Sequence, residues 1–501
     1  MPQLRRLVTA AALVIAALAI HAQSPRRTEL VIVVDGLRPD YVTSEVMPRL
    51  YRLGRRGIVF TAHHSVFPTV TRVNASSIVT GAYPETHGLL GNTIYIPSVN
   101  ATRGLDTGER ENLEAVERAE GTLLTAPTLG EVLQGNGRTL LGISSGGTGS
   151  AYLLNHTVAG GAIIHTDYTK PAGLGPRVLA VLGAPPPHAT PNDAQNQRAI
   201  DAYLRLAVDD LRPDVTLLWL NDPDGTAHAS GVGAPLTRTS LTLVDGGIGR
   251  LEDGLRARGL LDSTNIIVAS DHGFSTETGE LTLDALVSPF AQTLGDGSKD
   301  IVVAEGAVYL RGSRDASRLA SIVAALQRRP EVGAIFTRPG RDGTAEGIVP
   351  GTLSFDVARW NHPRSGDILV SANWSSRANA AGFKGTTTQV GVAGHGTSSP
   401  YDIHNTLMAA GPDFRERATS DLPTSNVDLA PTLLRLLGIP PAPTMTGRVI
   451  EEGLRGVGNA ALTKVERREV VATADRRYTL TAHLSIVAGR RYLDYTEVTR
   501  R

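Results

Sequence analysis

Four short apolar runs punctuate the chain: LVIVVDG from residue 30, TLLGISS from 139, VTLLWLND from 215 and NIIVASDHG from 265. Each is continuous rather than alternating and rich in β-branched residues and leucine, as in strands buried on both faces. Between them, residues 45–56, 194–211 and 237–258 carry apolar positions at helical spacing. Strands alternating with helices predict an α/β fold with a mostly parallel sheet covered on both sides. The tail differs: REVVATADRRYTLTAHLSIVAGRRYLDYTEV alternates polar and apolar residues and predicts antiparallel strands. There is no repeat at solenoid spacing and no low-complexity linker.

The first residues form a separate pattern. Arg5 and Arg6 precede an apolar run over 7–20, and Ala22 stands before polar residues. This is the layout of a secretory signal peptide, residues 1–22, with cleavage after Ala22. The run falls short of the ~20 residues of a comfortable membrane span, although a retained N-terminal anchor is the alternative. The expected location is exported, periplasmic or secreted, with no stable span after cleavage. The absence of cysteine removes lipoprotein anchoring, disulfides, thiolate ligands and a cysteine nucleophile.

Composition then limits the partners. Lys plus Arg and Asp plus Glu are both 49 in 501 residues, so no basic stripe argues for nucleic acid as a structural partner. Oligomeric state leaves no trace in the sequence.

Polar residues cluster at the strand ends. Asp35 closes the first run, Asp222 and Asp224 follow the third, and Asp271 and His272 follow the fourth. Ligands of open α/β sheets bind outside the carboxyl ends of the strands, so three strands deliver carboxylates to one rim. A lone Asp-Gly is usually a turn; three such strand ends, one with an adjacent histidine, point to a site. Carboxylate with imidazole and no thiolate suits Zn²⁺ or a similar divalent ion. Asp224 and His228 lie four apart in DPDGTAH, and His395 stands between glycines in VAGHGTSS.

Taken in order, VVDGLRPDY, FPTVTRVNASSIVTGAYPETHGLLGN, DPDGTAH, SDHG and GHGT resemble the nucleotide pyrophosphatase/phosphodiesterase branch of the alkaline phosphatase superfamily. SNVDLAPTLLRLLGIPPAPTMTGRVI is similar to the segment that closes the fold there, so the resemblance covers about residues 30–454. It implies an alkaline-phosphatase-like three-layer α/β/α sandwich with inserted loops over 28–455, leaving 456–501 as a C-terminal β extension or part of the same domain. It also implies two Zn²⁺ per chain, or other divalent ions. Asp35, Thr71, Asp271 and His272 would hold one ion, and Asp224, His228 and His395 the other. Asp222 competes with Asp224, and the four-residue step to His228 selects Asp224. Thr71 would be the nucleophile, passing through a phosphothreonine intermediate, and Asn92, 21 residues on, would hydrogen-bond a phosphoryl oxygen.

The implied activity is hydrolysis of phosphodiesters or nucleotide pyrophosphates, with a small phosphorylated molecule as substrate. The alternatives are a phosphomonoesterase or phosphonate hydrolase on the same metal core, or a non-catalytic binding relative. Arg72 and Val73 depart from the family, which places an apolar or aromatic residue and then proline after the nucleophile. Arg72 therefore either binds a negatively charged substituent or lies outward in solvent. Lys170 and Arg103 are the other cations available for extra phosphate charge. Tyr95, Tyr152 and Tyr168 could stack on a base, and His404 could approach the site.

Overall fold

A computed structural model describes residues 27–280, 282–312, 315–457, 464–475 and 477–501. The expected signal peptide lies outside the described residues. Among those described, no helix is long and apolar enough to cross a membrane.

The centre is a nine-stranded sheet. In chain order its strands are β1 (Thr28–Val34), β2 (Ile58–Phe60), β3 (Leu140–Ser144), β4 (Ala162–His165), β5 (Thr169–Lys170), β6 (Val215–Leu220), β7 (Thr264–Ala269), β8 (Leu407–Ala410) and β9 (Ala418–Ser420). They lie side by side as β9-β2-β8-β7-β1-β6-β3-β4-β5. The middle run from β7 to β4 is parallel throughout, and β8 pairs antiparallel with β7 and β2.

Both faces of the sheet are buried, which is why these strands read as unbroken apolar runs. Leu30, Ile32 and Val34 of β1 join one core with α1 (Pro48–Arg56), α3 (Asp193–Ala202) and α4 (Pro235–Ala257). Val31 and Val33 join the other, with Ala75, Ile78 and Val79 of α2 (Thr71–Thr80). The sheet is thus the middle layer of three. The expected helix over 194–211 is two pieces, α3 followed by a π-helical stretch Tyr203–Leu211.

The loop between β7 and β8 is larger than the sequence reading foresaw. It carries a five-stranded sheet of Ile301–Ala304, Ala307–Leu310, Val332–Thr337, Leu353–Ser354 and Ile368–Ala372. The tail forms its own antiparallel sheet, β10 (Glu466–Ala474), β11 (Tyr478–Val487) and β12 (Arg490–Arg500). Its side chains reach back into the core. Tyr492 donates to Asp428 at 3.0 Å, Asp494 meets His64 Nε2 at 2.8 Å, and the Thr496 N–H donates to the Ser398 carbonyl at 3.1 Å.

At the opposite end of β1, Glu29 is buried with Oε2 unpartnered. Burial, abetted by Asp413, pushes its carboxyl up to about 8 from an ordinary 4.5. The folded chain therefore holds one proton more than the unfolded chain between those values. The associated stability is complete below 4.5 and is lost as pH rises towards 8. Glu29→Gln should gain on wild type over this window, by about 1–3 kcal/mol at pH 8 in chemical denaturation. An advantage that is the same at pH 5 and pH 8.5 would show that Glu29 is not the group responsible.

Candidate metal centre

Register brings the strand ends level. Val34 pairs with Leu220 and Val33 with Ala269, so Asp35, Asp224 and the Asp271–His272 pair emerge at one rim. The turn after Asp35 uses Gly36 at φ +69°, where a β-carbon would meet the Phe274 ring at 3.1 Å and Asp224 Cβ at 3.2 Å. Asp35, Asp271 and His272 are at most 4 % exposed.

The polar atoms converge. Asp224 Oδ1 lies 3.3 Å from His228 Nε2, 3.4 Å from His395 Nε2 and 3.9 Å from His272 Nε2. His272 Nε2 is 3.1 Å from Asp271 Oδ2, 3.5 Å from Asp35 Oδ1 and 3.2 Å from Thr71 Oγ1. Among the described residues, two groups have ligand atoms close enough for one ion: Asp224, His228 and His395, and Asp35, Asp224 and His272. Asp224 sits between the two.

Each histidine is also aimed. His228 Nδ1 meets the Ala393 carbonyl at 2.9 Å, His272 Nδ1 that of Gly273 at 2.9 Å, and His395 Nδ1 that of Thr69 at 2.8 Å. A carbonyl accepts only from N–H, so Nδ1 carries the proton in each neutral ring and the Nε2 lone pair faces the cluster.

Asp35 Oδ1, Asp224 Oδ1 and Asp271 Oδ2 are buried without a hydrogen-bond partner. Burial and the charges of Asp271 and Asp224 push the Asp35 carboxyl well above its ordinary range. Burial would also raise Asp224, but His228 and His395 outweigh it and hold that carboxyl well below. Against burial, Asp224 lifts His228 to about 9, whereas burial and His272 bring His395 down to about 4. Pairing with the imidazoles still leaves one oxygen of each of the three carboxylates without a hydrogen bond. Buried oxygens left bare while lone pairs converge on them fit divalent cations.

Thr71 opens α2 and is 4 % exposed. The Arg72 N–H donates to Asn92 Oδ1 at 3.0 Å, so the amide nitrogen of Asn92 turns away as a donor with no partner among the described residues. Thr69 is committed elsewhere: its hydroxyl donates to the Thr397 carbonyl at 2.8 Å and accepts the Gly396 N–H at 3.0 Å. Asp222 is likewise taken, by the Asn192 N–H, Asn196 and Thr226.

Sequence reasoning missed several supports. Trp219 donates its indole N–H to Asp35 Oδ2 at 2.9 Å, although its run reads as plain core. Asp402 accepts from Ser275 and from both the N–H and hydroxyl of Thr397, tying the His272 loop to the His395 loop. Asn74, the carboxamide that interrupts the helix pattern, holds the backbone of Val66 and Val70 ahead of Thr71. Glu305, in the hairpin turn before Ala307 at φ +54°, accepts from the Thr93 N–H beside Asn92.

Other histidines and tyrosines stand apart. His404 packs its ring 4.6 Å from His64 and joins neither ligand group. His63 and His64 are held by Thr424, Asn426 and Asp494. Tyr152 is buried with its hydroxyl on Glu117, and Tyr95 packs on Tyr309, so neither offers an open face for a base. Tyr168 faces Arg110, whose guanidinium lies 4.5 Å from its ring centre.

A family model described as type I phosphodiesterase/nucleotide pyrophosphatase matches residues 30–397. Human ectonucleotide pyrophosphatase/phosphodiesterase family member 1 is 30 % identical over 249 residues, 49 % of this chain and 23 % of that protein. The venom phosphodiesterase of Naja atra is 28 % identical over 242 residues, 48 % of this chain and 25 % of that one. The match thus spans about a quarter of the length of these relatives. An inactive variant of murine ectonucleotide pyrophosphatase/phosphodiesterase 5, solved in complex with AMP, shares the fold. Its TM-score is 0.58 at 20 % identity, over 86 % of this chain and 100 % of that one.

Proposed function

The chain belongs to the type I phosphodiesterase/nucleotide pyrophosphatase family, and on that footing we propose that it is a two-metal phosphoester hydrolase with Thr71 as nucleophile. The observation that carries the reading is the convergence of three bare carboxylate oxygens and three imidazole Nε2 atoms beside a hydroxyl at the head of a ten-residue helix. Asp35, Asp271, His272 and Thr71 would hold one divalent cation, and Asp224, His228 and His395 the other, with Zn²⁺ the best match to this donor set. When bound, such ions balance the carboxylate charge, polarise phosphoryl oxygens and make a threonine hydroxyl a competent nucleophile.

The chain's own residues supply the rest. Thr71 Oγ attacks phosphorus as the bond to the leaving oxygen breaks, giving phosphothreonine, which water then opens. One water is consumed: its hydroxyl ends on phosphorus and its proton on the leaving group. Asn92, its Oδ1 fixed by Arg72 N–H, presents its NH₂ to a non-bridging oxygen, and the positive end of α2 favours the same charge. The catalytic unit in this reading covers 28–455 together with the β extension 456–501, which grips the His395 loop through Thr496. Export, expected from residues 1–22, belongs to the same reading.

The substrate class follows the relatives: phosphodiesters or nucleotide pyrophosphates. The test is turnover of bis(p-nitrophenyl) phosphate, p-nitrophenyl phosphate and a dinucleoside pyrophosphate by purified protein with added Zn²⁺. Fastest turnover of a diester or pyrophosphate is expected. Dominant monoester turnover would move the protein to the monoesterase alternative, and no turnover of any would leave a binding relative.

A further inference from the structure

Beside Thr71 the site contains a cation, Arg72, whose side chain makes no ion pair and no hydrogen bond among the described residues. Arg72 occupies the second position of α2, and its side chain runs between two loops, around Gly108 and around Gly146–Gly147. These loops are clasped together, since the Gly149 N–H and the Thr148 hydroxyl both donate to the Gly108 carbonyl, at 2.8 and 3.1 Å. Both walls are glycine where the guanidinium passes. A β-carbon at Gly108 would collide with Arg72 Nη2, and one at Gly147 would sit 3.5 Å from it.

The guanidinium carries five donors in a fixed fork. Among the described residues it forms no ion pair and no side-chain hydrogen bond, and its Nε is buried without a partner. Glu305 is near enough for the arginine charge to lower its carboxyl, yet lies outside ion-pair distance. The other cations are spoken for. Lys170 Nζ donates to the Tyr152 hydroxyl and the His156 carbonyl, Arg110 pairs with Glu111, and Arg103 lies exposed on the surface.

The position of the head group is set by its neighbours. A β-carbon at Gly108 would meet both Arg72 Nη2 and Asp106 Oδ1, so the head group lies where the Gly108 loop faces the Gly146–Gly147 loop. Its backbone N–H meanwhile fixes Asn92. One residue thus orients the carboxamide donor with its main chain and offers, with its side chain, a guanidinium that no described residue hydrogen-bonds.

Resting on the phosphoester hydrolase reading, we infer that Arg72 forms an anion subsite that receives a second negative charge of the substrate next to the phosphorus under attack. Two substrates carry such a charge: a monoester, whose phosphoryl group is itself dianionic, and a nucleoside polyphosphate, whose adjoining phosphate is charged. A diester with a neutral alkyl group has none. An arginine fork suits either anion, because it meets two phosphate oxygens at once.

The experiment compares wild type, Arg72→Met and Arg72→Lys, each loaded with Zn²⁺ and matched for metal content and melting temperature. Three substrates are used: methyl p-nitrophenyl phosphate, p-nitrophenyl phosphate and ATP. Arg72→Met should lower kcat/KM at least about a hundredfold for p-nitrophenyl phosphate or ATP, and by less than about threefold for the methyl diester. Arg72→Lys should fall between. A loss confined to p-nitrophenyl phosphate marks the reacting phosphoryl group as the partner; one confined to ATP marks the adjoining phosphate. Equal losses on all three, or no loss on any, overturn the subsite. Calorimetric titration with inorganic phosphate gives a readout independent of turnover, with Kd at least about tenfold weaker in Arg72→Met. Arg72-dependent phosphate binding without turnover of any substrate would remove the hydrolase reading and keep the subsite. Turnover indifferent to Arg72 would do the reverse.

Discussion

Thr71→Ala should lower turnover at least about a thousandfold, on the order of 4 kcal/mol of transition-state stabilisation. The hydroxyl stands at the start of α2, 3.2 Å from His272 Nε2. Thr69, two residues earlier, has its hydroxyl bonded on both sides to the Gly396–Thr397 backbone and its carbonyl on His395. Thr69→Ala loosens that loop without removing an attacking group, so it should cost only about tenfold. Metal content must be measured with the rates, since Thr71 is also a proposed ligand. Rapid quenching with labelled substrate should leave label on the peptide containing Thr71. Label on Thr69, or near-normal turnover by Thr71→Ala with full metal, would refute the assignment.

Asp224→Ala should be as damaging by another route. Its Oδ1 faces three imidazoles and is the carboxylate common to both ligand groups, so its loss should lower bound metal and cut activity by at least about a thousandfold. Asp222, two residues away, supplies the contrast. It is 1 % exposed and accepts hydrogen bonds from the Asn192 N–H, the Asn196 side chain and the Thr226 hydroxyl. Asp222→Ala leaves those donors bare and should cost about 2–4 kcal/mol of stability while metal content survives. Metal analysis and thermal melts of the two variants separate the roles. Metal loss in Asp222→Ala with retention in Asp224→Ala would reverse the assignment.

The large sheet was legible because burial on both faces leaves a mark in composition: no polar residue interrupts Leu30 to Val34, and the carboxylates stand where the runs stop. Asp35, Asp271 and His272 could be picked out as candidates for the same reason, being adjacent to strand ends, whereas Thr71, His228 and His395 were assigned roles only through the family resemblance. What escaped was fixed by tertiary contact alone. The indole N–H of Trp219 has no signature until β6 lies beside Asp35. Asp402 resembles any helix-flanking aspartate until Ser275 and Thr397 close on it. The sheet inserted between β7 and β8 was hidden because its strands are only two to six residues long and separated by turns. Arg72 was left with two readings, since helical spacing at the mouth of a cleft does not say which way a long side chain turns.

The clasp between β12 and the His395 loop bears on the order of events during synthesis. Thr496 is bonded to Ser398 by hydroxyl and N–H, and its carbonyl receives the Trp374 indole N–H. Roughly a hundred residues of chain separate Ser398 from Thr496. At about 5–20 residues per second, a ribosome makes the strand roughly 5–20 s after the loop. For that interval the nascent chain has His395, the proposed metal ligand, but not the strand that grips the loop behind it.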